Sequence, residues 1–145
     1  MKIYLAGPLF TAAEWDFNTR LAQGLRDKGH EVWLPQEHEQ RDKTAKEIFD
    51  EDVKGIDWAE VLVANMDGAD PDSGTCWECG YAYHQRKPTI LFRTDFRMAD
   101  ESFKAPYNLM LTESAAFRLD LPLADMATLT ERIDRALREL AALRR

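Results

Sequence analysis

Two carboxylates, Asp72 and Glu78, lie in one short segment between two apolar runs, Val61–Ala64 and Thr89–Phe92. This order predicts a strand, a glycine-containing loop, a helix and a second strand, with Asp72 in the loop and Glu78 in the first turns of the helix. Parallel α/β sheets bind small molecules at the carboxyl edge of their strands, where this loop would lie. Two carboxylates that converge there predict acid/base or nucleophilic chemistry on an uncharged organic substrate.

The acidic side chains that could perform such chemistry each have a structural alternative. Glu78 lies between Trp77 and Cys79 in a helix that is expected to pack on the sheet, and partial desolvation there would raise its basicity and nucleophilicity. Asp72 fits equally well as the N-cap of that helix. Asp52 lies near the middle of another predicted helix, where the pattern of residues taken alone indicates a solvated face.

Cys76 and Cys79 form a C-x-x-C pair, a spacing that is also typical of redox and zinc sites. A zinc site would need two further ligands, and His30, His38 and His84 do not show ligand spacing. A thioredoxin-type pair begins a helix directly after a strand, whereas a long polar loop precedes this pair. We therefore expect no metal and no organic cofactor, and redox chemistry stays a minor alternative.

The turn after the first apolar run, Gly7 to Phe10, lies where nucleotide-binding folds keep a phosphate loop. It lacks both G-x-G-x-x-G and G-x-x-x-x-G-K-[ST], and Pro8 removes one amide donor. This pattern disfavours a dinucleotide or nucleoside triphosphate and favours an uncharged ligand. Tyr4 and Phe10 would face the same edge and could contact a sugar or a base, although Tyr4 fits a plain core position equally well.

Alternating strands and helices would position these residues. The predicted strands are Ile3–Ala6, Glu31–Leu34, Val61–Asn65 and a fourth that begins at Pro88. The predicted helices are Thr11–Lys28, Thr44–Trp58, Thr75–Arg86 and Asp125–Leu143, and Asn108–Leu111 is a short apolar patch without a clear period. The alternation predicts a small, doubly wound, mainly parallel α/β sheet flanked by helices. Right-handed crossovers would bring the carboxyl ends of strands one, three and four to one edge.

The composition limits the possible partners of the chain. With 145 residues, of which 45% are hydrophobic and 31% charged, the sequence predicts one globular domain over residues 1–145. A net charge of −7 argues against a nucleic-acid polymer, because phosphate backbones are bound by basic surfaces. No run approaches the ~20 apolar residues of a membrane span, and the apolar start is too short for a signal peptide. Together with the two cysteines, these features predict a cytoplasmic protein.

Four segments together resemble the nucleoside 2-deoxyribosyltransferases. They are the opening Lys2–Phe10, the central Asp72–Thr75 with Glu78–Ala82, then Thr94–Arg97, and finally Asn108–Met110. The match runs through nearly the whole chain in the family's order, and its D-x-G-x-x-x-E-x-G-Y-A core is specific. The resemblance implies a flavodoxin-like α/β fold and the exchange of the base on 2′-deoxynucleosides, with free nucleobases as acceptors.

The resemblance also implies catalytic roles. Glu78 matches a glutamate that attacks C1′ of the sugar, Tyr4 matches a tyrosine that orients it, and Asp52 matches an aspartate that passes a proton to the base. Cleavage of an N-glycosidic bond builds oxocarbenium character at C1′, which a carboxylate below the ring can trap as a covalent glycosyl-enzyme, as in retaining glycosidases. A second base would then attack the same face, with net retention.

Further residues are implied to bind substrate. Asp72 matches an aspartate that holds the sugar hydroxyls, and Gly7 and Phe10 belong to the matching first turn. Asn108 and Met110 match residues that reach into a neighbouring subunit's site, so we expect a homo-oligomer, a dimer or larger.

Two other functions use the same residues. A 2′-deoxynucleoside 5′-monophosphate N-hydrolase would use the same glutamate with water as the acceptor, and it would need a phosphate site near the first loop. Gly7–Phe10 supplies neither a cation nor a hydroxyl, although Thr11, Arg20 and Ser73 could. A nucleoside-binding module without turnover is the other alternative.

The pair Cys76-Trp77 is bulkier than expected for the family and would narrow the site or shift the base preference.

Overall fold

A parallel sheet forms the centre of the computed structural model, which describes residues 1–38, 41–97 and 106–143. Its strands are β1 (Lys2–Ala6), β2 (Glu31–Trp33), β3 (Val61–Asn65), β4 (Thr89–Arg93) and β5 (Phe117–Asp120). They are arranged in the order β2-β1-β3-β4-β5, and each neighbouring pair is parallel. This is the flavodoxin-like strand order, so the predicted fold class is confirmed.

Helices cover both faces of the sheet. They are α1 (Ala12–Asp27), α2 (Ala45–Trp58), α3 (Ser73–His84), α4 (Leu109–Ser114) and α5 (Met126–Leu143), with a short 3-10 helix at Pro35–Glu37. Residues of α1 and α5 pack in one hydrophobic cluster, and residues of α2, α3 and α4 pack in a second cluster on the opposite face. None of the helices within the described residues is long and apolar enough to cross a membrane.

Side chains of β1 alternate between the two clusters. Ile3 and Leu5 belong to the cluster with α1 and α5, whereas Tyr4 and Ala6 belong to the cluster with α2 and α3. The alternation follows from the pleat of a strand, in which successive side chains point to opposite faces. Tyr4 is consequently committed to the face where α2 and α3 lie.

Lys87 fixes the end of helix α2. Its ammonium group donates hydrogen bonds to the carbonyl oxygens of Ile56, Asp57 and Ala59 at 2.7, 2.5 and 2.7 Å. These carbonyls lie at the C-terminus of the helix, where the backbone lacks internal partners and a cation is favourable. Because α2 also carries Asp52, this cap helps to hold a candidate site residue in place.

One strand and one α-helix were not predicted from the sequence. Strand β5 has four residues, of which only Leu119 is buried, and it lies at the edge of the sheet. Helix α4 has six residues and begins at the apolar patch after Asn108, which showed no period. Both elements are too short for a hydrophobic repeat to distinguish them from a loop.

Candidate active site

Tyr4 and Glu78 form the centre of the site. The phenol of Tyr4 donates a hydrogen bond of 2.6 Å to Oε1 of Glu78. Tyr4 has no exposed surface, and Glu78, in the second turn of α3, is partly buried. Burial raises the pKa of Glu78 to about 8; the hydrogen bond from Tyr4 opposes this rise, and the charges of Asp52 and Asp72 add to it. A desolvated carboxylate of this kind is a stronger base and nucleophile than an exposed one.

The phenol itself stays protonated. Burial, followed by the charges of Glu78 and Asp52, raises the pKa of Tyr4 far above its ordinary value. A tyrosine in these surroundings is a hydrogen-bond donor at any pH near neutrality. It can therefore hold one oxygen of Glu78 in place while the other oxygen is available for reaction.

Asp52 is a partly buried carboxyl group rather than a fully solvated one. Its Oδ1 is buried and has no hydrogen-bond partner among the described residues. Burial, with a contribution from the charge of Glu51, raises the pKa of Asp52, and His38 and Tyr4 oppose the rise. The helical pattern alone indicated a solvated face, and the structure corrects this, because α3 packs beside α2 and covers that part of its surface.

One cavity of about 310 Å³ brings the two carboxyl groups together. It lies between α2 and α3 and is lined by Phe49, Asp52, Val53, Gly74, Trp77 and Glu78. Small-molecule sites commonly have this size and combine apolar walls with a few polar groups. We call it the catalytic cavity. Two carboxyl groups on one largely apolar space, one ionised and the other protonated, can attack and protonate a single bound organic molecule.

Asp72 has the capping role that the sequence offered as its structural alternative. Its Oδ2 accepts hydrogen bonds from the backbone N–H of Thr75 at 2.9 Å and from the Thr75 hydroxyl at 3.0 Å. It does not line the catalytic cavity. Its charge nevertheless acts on the site, because it contributes to the raised pKa of Glu78.

The first turn does not reach the catalytic cavity. A Cβ at Gly7 would meet the Cβ of Asn65 at 3.1 Å, so this glycine allows a close approach of β1 and β3. The ring of Phe10 is 76% exposed, and its backbone N–H donates to Glu14 at 2.8 Å. Neither residue lines the catalytic cavity within this chain.

Asn108 and Met110 line a second cavity, of about 550 Å³, on another side of α3. Asn108 caps α4 by accepting a hydrogen bond of 2.9 Å from the backbone N–H of Met110. The side chain of Met110 is 73% exposed. Within one chain these two residues are therefore separated from the catalytic cavity.

The two cysteines lack the features of a redox or metal site. Both are free thiols, and Cys79 is buried in the cluster under α3. Burial raises the pKa of Cys76 and of Cys79, whereas reactive thiols have a lowered pKa. No group of three or more His, Cys, Asp or Glu that could hold a metal occurs among the described residues.

Sequence reasoning missed part of the cavity wall. Phe49, Val53 and Gly74 were not predicted as site residues, although all three line the catalytic cavity. A signal was present, because Phe49 lies three residues before Asp52 and Val53 lies four residues after Phe49, and both spacings make side chains neighbours on a helix surface.

Comparison with known proteins identifies the family. Residues 3–110 match the profile of the family described as nucleoside 2-deoxyribosyltransferase. No curated protein matches the chain. A 2-deoxyribosyltransferase from the psychrotolerant bacterium Bacillus psychrosaccharolyticus is 31% identical, with a TM-score of 0.69 over 90% of this chain and 90% of that chain.

Two further solved structures are similar. A 2-deoxyribosyltransferase from Leishmania mexicana is 26% identical, with a TM-score of 0.66 over 91% of this chain and 96% of that chain. A conserved protein from Enterococcus faecalis V583 is also 26% identical, with a TM-score of 0.74 over 93% of this chain and 98% of that chain. Since the family profile covers well over half of the chain, this protein belongs to the nucleoside 2-deoxyribosyltransferase family.

Proposed function

We propose that this protein transfers the 2-deoxyribosyl group between nucleobases of 2′-deoxynucleosides through a covalent intermediate on Glu78. The observation that carries the proposal is the Tyr4–Glu78 hydrogen bond beside Asp52, with both carboxyl groups on one cavity. Family membership supports the substrate class.

In the first half of the reaction, ionised Glu78 attacks C1′ while the bond from C1′ to the base nitrogen breaks. Tyr4 holds Oε1, so Oε2 forms the new bond to C1′. The electrons of the broken bond go to the base, and Asp52 donates a proton to it. Protonation lowers the cost of base departure in the transition state, which is general acid catalysis.

In the second half, a different base enters the same space and attacks C1′. Asp52, now ionised, accepts the proton that the incoming base loses, and the ester oxygen of Glu78 leaves as a carboxylate. Two displacements at C1′ give net retention, as in retaining glycosidases.

The charges of the site fit this division of roles. Because Asp52 and Glu78 interact electrostatically, ionisation of one disfavours ionisation of the other. The pair therefore favours a state that holds one proton, with one carboxylate and one carboxylic acid. The first half-reaction uses the form in which Glu78 is the carboxylate and Asp52 holds the proton.

We also propose that the enzyme works as a homo-oligomer in which Asn108 and Met110 complete a neighbour's site. Their distance from the catalytic cavity in one chain and the exposure of Met110 support this. Light scattering on the purified protein tests it, and an active monomer would contradict it.

Salvage of nucleosides in the cytoplasm is the setting that we propose for the reaction.

Purified protein incubated with 2′-deoxyinosine, with and without adenine, tests the function when the products are separated by chromatography. Transfer predicts 2′-deoxyadenosine only when adenine is present, with no phosphate required. Hypoxanthine release without a new nucleoside would instead indicate a hydrolase, to be examined with the 5′-monophosphate. If neither nucleoside nor nucleotide changes, a binding role replaces the proposal. Glu78→Gln is the control for contaminating activity.

A further inference from the structure

Two large aromatic side chains remain uncovered at the catalytic cavity. Phe49 on α2 is 45% exposed and Trp77 on α3 is 49% exposed. Their ring centroids are 5.3 Å apart, with an angle of 62° between the rings. Both rings line the same cavity as Asp52 and Glu78. Exposed apolar surface at a concave site is typical of a surface that binds a ligand.

The Trp77 ring is held in position by its neighbours. The ring of Tyr81 stacks against it with a centroid distance of 5.4 Å and an angle of 7°. The Tyr81 hydroxyl in turn donates a hydrogen bond of 3.0 Å to Asp57 on α2. Trp77 is thus supported by its own helix and, through Tyr81, by α2. A ring held in this way loses little side-chain freedom when a ligand packs on it.

The proposed chemistry places the nucleobase beside these rings. The sugar must bring C1′ to Glu78, and the base must extend from C1′ to the proton of Asp52. Phe49 is one helical turn from Asp52, and Trp77 directly precedes Glu78. A planar base that satisfies both conditions therefore lies next to the aromatic pair.

We infer that Phe49 and Trp77 form the surface that packs against the nucleobase and that they favour purines over pyrimidines. This inference rests on the proposed function. A bicyclic purine covers more apolar area on the two rings than a monocyclic pyrimidine, and burial of apolar area provides most of the gain. Ring faces offer no hydrogen-bond pattern, so selection by this surface depends on the size of the base.

Kinetics of Trp77→Ala and Phe49→Ala test the inference. We expect the KM for adenine as acceptor to rise about 5- to 100-fold, as for loss of a base-stacking side chain, and the KM for cytosine to rise less. A wild-type preference for cytosine, or equal changes for both bases, would overturn the inference. His84→Ala is the matched control, because His84 is an exposed ring on the same helix and lines neither the catalytic cavity nor the second cavity with Asn108 and Met110.

Tryptophan fluorescence gives a readout that does not depend on turnover. We expect adenine to quench the emission of the wild type and of Trp58→Phe, and to quench Trp77→Phe much less. Trp58 packs against Trp33, away from the catalytic cavity, so its replacement removes one indole without altering the proposed surface. Unchanged quenching in Trp77→Phe would overturn the inference.

The two proposals fail in different ways. If the wild type exchanges bases but the Trp77 and Phe49 variants retain its adenine KM, the base surface is wrong and the transferase function stands. If adenine quenches Trp77 but no base exchange or release occurs, the base surface stands and the proposed function is wrong.

Discussion

The phenol of Tyr4 donates a 2.6 Å hydrogen bond to Oε1 of Glu78, and so joins residues that are 74 positions apart. One residue comes from the first strand and the other from the helix after the third strand. Burial raises the pKa of Glu78, and this hydrogen bond is the main influence that opposes the rise. Burial therefore makes Glu78 more nucleophilic but reduces the fraction that is ionised. The hydrogen bond from Tyr4 restores part of that ionised fraction.

Replacement of Tyr4 by Phe should shift the pH dependence of the enzyme. The hydrogen bond stabilises the ionised carboxylate, so its loss raises the pKa of Glu78 further, and a smaller fraction is ionised at neutral pH. We expect kcat/KM at pH 7 to fall about 10- to 100-fold, as for a hydrogen bond to a charged group, with a smaller loss at pH 9. A pH profile of kcat/KM measures this. An equal loss at every pH would argue against the effect on ionisation, and Tyr83→Phe is the control.

Replacement of Glu78 by Gln should abolish transfer and stabilise the fold at alkaline pH. The folded pKa of about 8 lies above the ordinary value of 4.5, so the folded state keeps a proton that the unfolded state has lost. Protonated Glu78 contributes fully to the stability of the fold below pH 4.5, and this contribution is lost as the pH rises through 8. We expect Glu78→Gln to be more stable than wild type by roughly 2 to 4 kcal/mol at pH 9 and by much less at pH 5.

Urea unfolding of both proteins at the two pH values measures this difference. Glu139→Gln, at an exposed position of α5, is the control and should change stability little at either pH. A gain of equal size at pH 5 and pH 9 would mean that ionisation of Glu78 is not its cause.

Replacement of Asp52 by Asn should slow the departure of poor leaving groups most. A general acid contributes about 100- to 10,000-fold when the leaving group needs a proton, and far less when it does not. We therefore expect kcat to fall at least about 100-fold for a poorly departing base and under about 10-fold for a good one. Rates for a series of 2′-deoxynucleosides measure the trend. Equal losses across the series would rule out proton donation by Asp52.

Asp50→Asn is the matched control for this experiment. Asp50 lies on the same helix, is exposed and pairs with Lys46. It does not line the catalytic cavity, so its replacement should leave the whole series unchanged.

Replacement of Asp134 by Asn should destabilise the fold without affecting the reaction. Asp134 is buried and accepts hydrogen bonds from His30 at 2.8 Å and from Arg138 at 2.9 Å, far from the catalytic cavity. Burial raises its pKa, but the hydrogen bonds from Arg138 and His30 outweigh burial, and the net shift is downward. We expect a loss of about 1 to 3 kcal/mol at pH 7, the usual cost of disrupting the hydrogen bonds of a buried polar group.

The sign of the pH dependence follows from the lowered pKa. The contribution of Asp134 is present above its ordinary pKa of 3.8 and is lost as the pH falls through the lower folded value. In urea unfolding, the difference in the free energy of unfolding between wild type and Asp134→Asn should therefore become smaller toward pH 3. Glu131→Gln, which loses an exposed pair with Lys28, should cost under about 1 kcal/mol. If Glu131→Gln destabilised the fold as much as Asp134→Asn, the burial of Asp134 would not explain its effect.

Much of the fold could be read from local sequence patterns. Strand β3 was predicted with its observed limits, because all five of its residues are buried and form one continuous apolar run. A helix was predicted to begin at Thr11, and the structure shows Thr11 as the N-cap of α1 in a capping box with Glu14. Strand β5 and helix α4 could not be predicted, since both are short and only one residue of β5 is fully buried.

The sequence alone established the fold class, the family resemblance and a helix that carries Glu78 after a polar loop, because apolar periodicity, caps and motif spacing are local properties of the chain. It could not establish the contact of Tyr4 with Glu78, the burial of Asp52 or the aromatic wall of Phe49 and Trp77. These depend on how the crossovers bring α2 and α3 together above β1. Distances and desolvation across such packed elements arise only when the chain is folded.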